Sequence, residues 1–204
     1  MNDAAPTETR KARFLAAAST LAETLKLDQL SVAAVCDEAR LTAPEFIEEF
    51  GSVEGYVGEL HRKFLDGLLA RMIRETGELK PGIERILRAS FAQLDGCLEQ
   101  RAQRAWFADA RRKLPRVMEE IHQRNRATAM MISIELAELG CREPMIVARF
   151  YTTMMVEAAQ MEADAGAAVP EVRQALRDFL IAWVLSRRSV SPQMPSGSPL
   201  PVSG

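Results

Sequence analysis

Few residues of this sequence have the types and spacing that acid–base, nucleophilic or metal chemistry requires. His61 and His122 are the only histidines, and neither belongs to a cluster with metal-ligand spacing. Cys36, Cys97 and Cys141 are widely separated, so we expect three free thiols in apolar surroundings rather than a disulfide framework. GxSxG, GxGxxG and phosphate-loop stretches do not occur. The sequence therefore predicts a protein that is not an enzyme and holds no metal or cofactor, with His61 as a partly exposed helix residue.

The charged residues point instead to ionic contacts. Residues 1–62 hold eleven acidic and six basic side chains, a net charge of −5, whereas the remainder carries +3. A segment that binds duplex DNA normally has the opposite asymmetry, because it must neutralise phosphates. Between Arg101 and Arg116 lie six basic residues and the single acid Asp109. That basic run is interpreted as a solvated helix face, or as a site for an anionic head group, the acidic amino-terminal segment or an acidic partner.

Apolar stripes with helical spacing, separated by glycine and proline, run through the chain. Phe14, Ala18, Leu21 and Leu25 define the first helix, of about four turns. Further helices are predicted after Ser31, after Thr42, from Ser52, and over residues 83–99, 101–112, 115–139, 144–164 and 170–186. Because no stretch between turn signals alternates apolar and polar residues, the sequence predicts an all-α fold of about nine helices.

The second and third helices are predicted to form a helix-turn-helix. Ser31 is a good cap for the second helix, and Thr42 with Glu45 has the spacing of a capping box at the start of the third. At 100° per residue, Phe46 and Phe50 share one face of the segment LTAPEFIEEF (41–50), and its three glutamates share the opposite face. If that face met DNA, each carboxylate would be repelled by a phosphate by roughly 1 kcal/mol at about 4 Å in water.

Residues 14–61, FLAAASTLAETLKLDQLSVAAVCDEARLTAPEFIEEFGSVEGYVGELH, resemble the amino-terminal domain of the TetR (tetracycline-repressor) family of bacterial transcriptional regulators. The likeness rests on the alanines after Phe14, on Leu30-Ser31-Val32, on the Thr42 cap, and on Phe50 and Ser52. It implies a helix-turn-helix domain over residues 1–52 and a helical ligand-binding and dimerisation domain over residues 53–188. Residues 189–204 are rich in proline and serine, and we expect a disordered tail there.

The resemblance also implies a set of DNA-binding positions. These are Arg10, Lys11, Arg13, Arg40, Thr42, Ala43, Glu45, Glu48 and Glu49. The cations would hold phosphates, and Glu48 or Glu49 could accept a hydrogen bond from a cytosine amine. This sequence differs from the usual family pattern at five positions. The family usually has glycine at position 40, a basic residue near position 43, tyrosine at 47, histidine or tyrosine at 49 and lysine at 53, where this chain has Arg40, Ala43, Ile47, Glu49 and Val53.

Two features of the second domain bear on partners. A homodimer is predicted through a four-helix bundle formed by the last two helices, with interface residues Phe150, Tyr151, Met154, Val172, Leu176, Phe179, Leu180 and Trp183. A pocket for an apolar small-molecule effector is predicted from Trp106, Phe107, Met118, Met130, Met131, Phe150, Met154 and Met155. The alternative for both sets is that the side chains fill the core of a monomer.

Two functions follow from the resemblance. The first is a ligand-responsive transcriptional regulator that binds a DNA operator through an atypical head. The second is a TetR-fold protein that has lost DNA binding and acts through an apolar ligand, a lipid or a protein partner. The longest wholly apolar run near the carboxy terminus, residues 179–185, is too short to span a bilayer, so we expect a cytoplasmic protein without membrane insertion.

Overall fold

A computed structural model describes residues 9–113 and 115–185 of the chain, with the side chains of 115–117, 120 and 185 excepted. This part consists of nine α-helices and one short 3-10 turn, Leu27–Gln29, without strands. The helices are α1 (Arg10–Thr24), α2 (Val32–Ala39), α3 (Ala43–Phe50), α4 (Val53–Thr76), α5 (Ile83–Glu99), α6 (Arg101–Lys113), α7 (Pro115–Glu138), α8 (Pro144–Ala165) and α9 (Pro170–Leu185). The predicted all-α fold is confirmed. The tail predicted at 189–204 lies outside the described residues.

Side-chain caps fix where the first helices begin. The Ser31 hydroxyl accepts a hydrogen bond from the Ala34 amide at 3.2 Å, and the Ser52 hydroxyl accepts one from the Gly55 amide at 3.1 Å. Each cap satisfies an amide that has no partner inside its helix. Thr9 caps α1 in the same way, so α1 begins four residues before Phe14, where the apolar stripe starts.

An aromatic cluster forms the core of the amino-terminal helices. The Phe14 ring lies 5.5 Å from Phe46 and 5.7 Å from Phe50, and Phe50 lies 5.1 Å from Tyr56. The Tyr56 hydroxyl donates a 2.7 Å hydrogen bond to the Phe14 carbonyl oxygen, and burial raises the pKa of that phenol. Helices α1, α3 and α4 are therefore held together by edge-to-face packing and one buried hydrogen bond.

Helix α6 joins these helices to the rest of the molecule. The Trp106 indole donates a 2.8 Å hydrogen bond to the carbonyl oxygen of Leu25, at the end of α1. The Gln103 amide donates to the Ser19 hydroxyl at 3.0 Å. The buried apolar residues form one continuous cluster from α1 to α9.

A buried ion network orders α5, α8 and α9. The Glu162 side chain is 1% exposed and accepts two hydrogen bonds from Arg173, at 2.7 and 2.9 Å. The same guanidinium reaches Asp95 on α5 at 2.7 Å, and the Val169 amide donates to Glu162 at 3.1 Å. Every polar atom of the buried carboxylate is thus paired, as burial of a charge requires.

Candidate functional site

The turn between α2 and α3 has the geometry of a helix-turn-helix. Arg40 adopts the left-handed conformation, with φ 53° and ψ 46°, and the Leu41 amide donates to the Cys36 carbonyl oxygen at 3.0 Å. The Thr42 amide and hydroxyl both donate to Glu45, at 2.8 and 2.7 Å, so the predicted capping box is present. These hydrogen bonds lower the pKa of the Glu45 carboxyl.

Helix α3 presents an acidic outer face. Phe46 and Phe50 are buried, as the periodicity predicted, whereas Glu48 is exposed and Glu45 and Glu49 are partly exposed. Ile47 stands beside them with half of its surface exposed. The face of α3 that points away from the core therefore carries three carboxylates and one aliphatic side chain.

The nearby cations are held by intramolecular contacts. Arg10 lies 3.0 Å from Glu48 and 3.5 Å from Glu49, and its hydrogen bond to Glu48 raises the pKa of the guanidinium. The Lys11 ammonium lies 2.9 Å from Glu59 on α4. Arg13 donates to the carbonyl oxygens of Ala39 and Arg40, at 2.8 and 3.2 Å.

These contacts use three of the four cations predicted to hold phosphates. Pairs between exposed groups contribute only about 0–1 kcal/mol each, so a phosphate could still compete for the cations. Arg40, Thr42 and Ala43 lie at the exposed edge of the turn. The structure thus joins Arg10 to the glutamates of α3 and Arg13 to the α2–α3 turn, whereas Lys11 is paired with α4.

An apolar cavity of about 300 Å³ lies between α4, α5, α7 and α8. Its lining is mainly aliphatic and includes Leu69, Met72, Ile73, Ile86, Ala89, Met131, Ile132, Met155 and Val156. At its wall Arg85 donates to Glu135 at 2.9 Å, and the Tyr151 hydroxyl behind it donates to Ser90 at 2.9 Å. The size fits a small ligand, whose apolar parts would contact these side chains and whose polar parts could meet the polar lining residues, namely Thr76, Arg85, Ser90, Gln93, Asn125, Thr128, Glu135 and Thr152.

The residues predicted to line an effector pocket are dispersed. Met131 and Met155 line the cavity. Trp106 and Phe107 are instead buried beside α1 and α4, because the indole bonds to Leu25 and the Phe107 ring packs against Phe64 at 5.3 Å. The remaining four lie outside the lining: Met118 is partly buried on α7, Met154 partly buried on α8, and Met130 and Phe150 are exposed.

The residues predicted at a dimer interface divide into two groups. Tyr151, Leu176 and Leu180 are at most 2% exposed, so they pack into the core of the single chain. The others retain exposed surface, namely Phe150, Met154, Val172, Phe179 and Trp183. Alongside them, Ile146 and Met161 are about half exposed and extend an apolar stripe along α8. Only the second group faces outward from the α8–α9 pair.

His61 is buried, which corrects the expectation of a partly exposed residue. Its side chain is 3% exposed and packs edge-on against Phe107, with ring centroids 5.1 Å apart. Within residues 9–113 and 115–185 its Nδ1 atom has no hydrogen-bond partner. Burial, together with the positive charge of Arg124, lowers its pKa to about 4. Sequence reasoning missed this because α6 covers α4 there, a contact that no local pattern encodes.

The cysteines and the possible metal ligands among the described residues do not form a reactive cluster. The three cysteines are free and buried, as predicted, and burial raises the pKa of Cys97 to about 11, which disfavours a thiolate. Over the two described ranges, no group of three or more histidine, cysteine or acidic side chains could hold a metal ion. None of the described helices is long and apolar enough to cross a bilayer.

No protein-family model matches the sequence, and none of the curated proteins does. Solved structures do match. A transcriptional regulator from Rhodococcus sp. Rha1 is 20% identical, with a TM-score of 0.72 over 87% of this chain and 97% of that one. A TetR-like transcriptional regulator from Rhodococcus sp. RHA1 is 12% identical, with a TM-score of 0.73 over 90% and 100%. The ketosteroid transcriptional regulator KstR2 of Mycobacterium tuberculosis is 21% identical, with a TM-score of 0.60 over 91% and 98%. The chain therefore has the fold of the TetR-like transcriptional regulators.

Proposed function

We propose that this chain is a ligand-responsive transcriptional regulator of the TetR type. It works as a cytoplasmic homodimer and binds DNA weakly. The observation that carries the proposal is the helix-turn-helix formed by α2 and α3, seated on an aromatic core beside a separate apolar cavity. The names of the three similar structures, all transcriptional regulators, agree with it.

Helix α4 provides a physical link between ligand and DNA. Its first turns supply Tyr56 to the aromatic core beneath α3. Its last turns supply Leu69, Met72 and Ile73 to the cavity. A ligand that displaces the second group moves a rigid helix, and the motion reaches α3 because packed cores shift between discrete arrangements rather than deform. Occupancy of the cavity would thus change the spacing of the two α3 helices in a dimer.

The acidic face of α3 sets the expected strength of DNA binding. Three carboxylates near phosphates would weaken a complex by roughly a hundredfold before screening. Arg10, moreover, must leave Glu48 and Glu49 before it can contact a phosphate. We therefore expect low affinity and a shallow dependence on salt, since few counterions are released.

Selection from a random duplex library at low ionic strength, followed by fluorescence anisotropy across salt concentrations, tests the proposal. The double variant Glu48→Gln/Glu49→Gln removes two of the three repelling carboxylates and frees Arg10, so it should bind the selected duplex about ten- to a hundredfold more tightly. Glu23→Gln, an exposed change at the end of α1, is the matched control and should leave affinity unchanged. If neither the natural chain nor the double variant retains any duplex, the proposed DNA binding is wrong.

The second candidate function is a TetR-fold protein that acts through its ligand or a protein partner and not through DNA. The observation that favours it is the engagement of Arg10, Lys11 and Arg13 within the chain. Ligand binding in the cavity together with a failed duplex selection would support this alternative over the first.

A further inference from the structure

A basic cleft opens beside the apolar cavity, between α6, α7 and α8. Its volume is about 500 Å³, and its lining includes Arg111, His122, Arg126 and Arg149. The rest of the described lining is Asn125, Ala129, Thr152, Thr153 and Val156. No acidic side chain is among these lining residues, although acidic residues outnumber basic ones in the whole sequence.

The three arginines of the cleft differ from others of the same helices. Arg104 on α6 is bonded to carbonyl oxygens of α8, and Arg124 on α7 is paired with Asp66 at 2.9 Å. Arg111, Arg126 and Arg149, by contrast, make no side-chain hydrogen bond or ion pair within the part of the chain that the structure describes. All three are exposed, and an anion bound in the cleft could accept charge-assisted hydrogen bonds from them without displacing an existing partner.

The basic cleft and the apolar cavity are adjacent. Asn125, Thr152 and Val156 line both of them, so the two spaces share a wall formed by α7 and α8. The arginine that lines the apolar cavity, Arg85, is already paired with Glu135 at 2.8 Å. Among the cations that line the two spaces, the arginines of the cleft are therefore the ones that a negatively charged end could meet without breaking an ion pair that the structure shows.

We propose that the two spaces bind one amphiphilic anion, with its apolar body between α4, α5, α7 and α8 and its anionic head group among Arg111, Arg126 and Arg149. The proposal rests on the proposed function, because it specifies the chemical class of the effector that the cavity takes. The shared chemistry is an alkyl or aryl body with a carboxylate or phosphoryl head. Planar guanidiniums bind both groups in bidentate fashion.

Calorimetric titration of the full chain with four probes tests the proposal: decyl phosphate, decanoate, decanol and inorganic phosphate. Decyl phosphate or decanoate should bind at least about tenfold more tightly than decanol, since each charge-assisted hydrogen bond to a ligand contributes about this factor. Whichever of the two anions binds more tightly identifies the head group. Inorganic phosphate alone should bind far more weakly than decyl phosphate, because it gains nothing from the apolar cavity.

Two variants separate the subsites. Arg126→Gln/Arg149→Gln should reduce the affinity for the anionic probes to about that of decanol, and leave decanol binding unchanged. Ala89→Phe fills the apolar cavity and should weaken the binding of decyl phosphate, decanoate and decanol alike. Arg142→Gln, an exposed arginine that lines neither space, is the matched control and should change nothing. Circular dichroism of each variant confirms that it is folded.

Each other outcome overturns a distinct statement. Equal affinity for decyl phosphate, decanoate and decanol, insensitive to the arginine variants, removes the anion subsite but leaves the apolar effector cavity standing. Inorganic phosphate binding as tightly as decyl phosphate shows that the cleft acts separately from the cavity, which contradicts a single ligand. If decyl phosphate, decanoate and decanol all fail to bind, both the anion proposal and the proposed effector cavity are wrong. The duplex selection still tests the proposed DNA binding independently.

Discussion

At position 40 an arginine adopts the left-handed backbone conformation where the family resemblance places a glycine. It is the only residue other than glycine with a positive φ in the described ranges. A left-handed conformation costs a residue with a Cβ atom roughly 1–2 kcal/mol. The Arg40 carbonyl oxygen accepts from Arg13, so the contact that orders the turn comes from the backbone of residue 40 and not from its side chain.

Replacement of Arg40 by glycine should therefore stabilise the protein. Relief of the backbone strain exceeds the extra conformational entropy that glycine gains in the unfolded chain, so the free energy of unfolding should rise by about 0.5 kcal/mol and Tm by about 1–2 °C. Urea denaturation and thermal melting measure the change. Arg40→Ala removes the same side chain but keeps the backbone strain, so it should not raise the free energy of unfolding. Equal effects of the two variants would contradict the role assigned to the backbone.

His61 should make stability depend on pH. Its pKa is about 4 in the folded chain and about 6.5 when unfolded, so the neutral form is favoured by folding. This contribution is fully present above pH 6.5 and is lost as pH falls towards 4, by an amount on the order of 3 kcal/mol. In His61→Phe, whose ring can keep the contact with Phe107, the fall in free energy of unfolding between pH 7 and 4.5 should be smaller by about 2–3 kcal/mol.

Urea titrations at a series of pH values provide the measurement. The natural chain also loses carboxylate interactions in acid, so the informative quantity is the difference between its profile and that of His61→Phe. The exposed His122 supplies the control through His122→Gln, which should follow the natural profile. Parallel profiles for all three proteins would mean that His61 is protonated in the folded state without penalty.

At the scale of elements, helix boundaries could be predicted because their causes are local. Ser31, Thr42 and Ser52 cap helices through atoms within three residues, and proline begins α7, α8 and α9. The cavity could not be predicted in the same way. Trp106 and Phe107 have the composition of a pocket lining, but their side chains are directed by the docking of α6 on α1 and α4. Periodicity identifies a buried face and says nothing of what covers it.

The ion network of Glu162 illustrates the same limit and yields a prediction about α9. The sequence shows a glutamate in an apolar helix, whereas the structure shows that it holds Arg173 of the following helix and, through it, Asp95. Glu162→Gln would leave the guanidinium with a weaker partner in a mostly buried position. We expect the free energy of unfolding to fall by about 3 kcal/mol.

Urea denaturation measures that change. Asp164→Asn, two residues along the same helix, alters an exposed carboxylate that accepts a 2.7 Å hydrogen bond from the Gln160 amide. This substitution should lower the free energy of unfolding by no more than about 0.5 kcal/mol. If the two variants were equally stable, the network would contribute nothing beyond an exposed ion pair, and the ordering of α9 by Glu162 would be wrong.

At the scale of the whole molecule, an extended apolar surface lies outside the continuous core, along α8 and α9. Ile146, Phe150, Met154 and Met161 lie within 80° of one another around α8, at 100° per residue, and three of them are about half exposed or more. Val172 and Phe179 continue this surface on α9, and a shallow apolar depression lies between the two helices. A monomeric protein rarely exposes so connected an apolar surface, which favours burial against a second copy.

Phe150→Lys should therefore convert the proposed homodimer into a monomer. A two-fold axis through the α8–α9 pairs would bring each Phe150 close to the partner surface, where a buried ammonium without a counter-charge costs several kcal/mol. Size-exclusion chromatography with light scattering should give half the mass of the natural chain. Because Phe150 is 60% exposed in the single chain, the variant should still fold.

Ile134→Lys places the same charge at a residue of α7 that is 57% exposed, and it should remain dimeric. A natural chain that is already monomeric, or a dimer that survives Phe150→Lys, would show that α8 and α9 do not form the interface, and the coupling of two α3 helices through α4 would lose its basis.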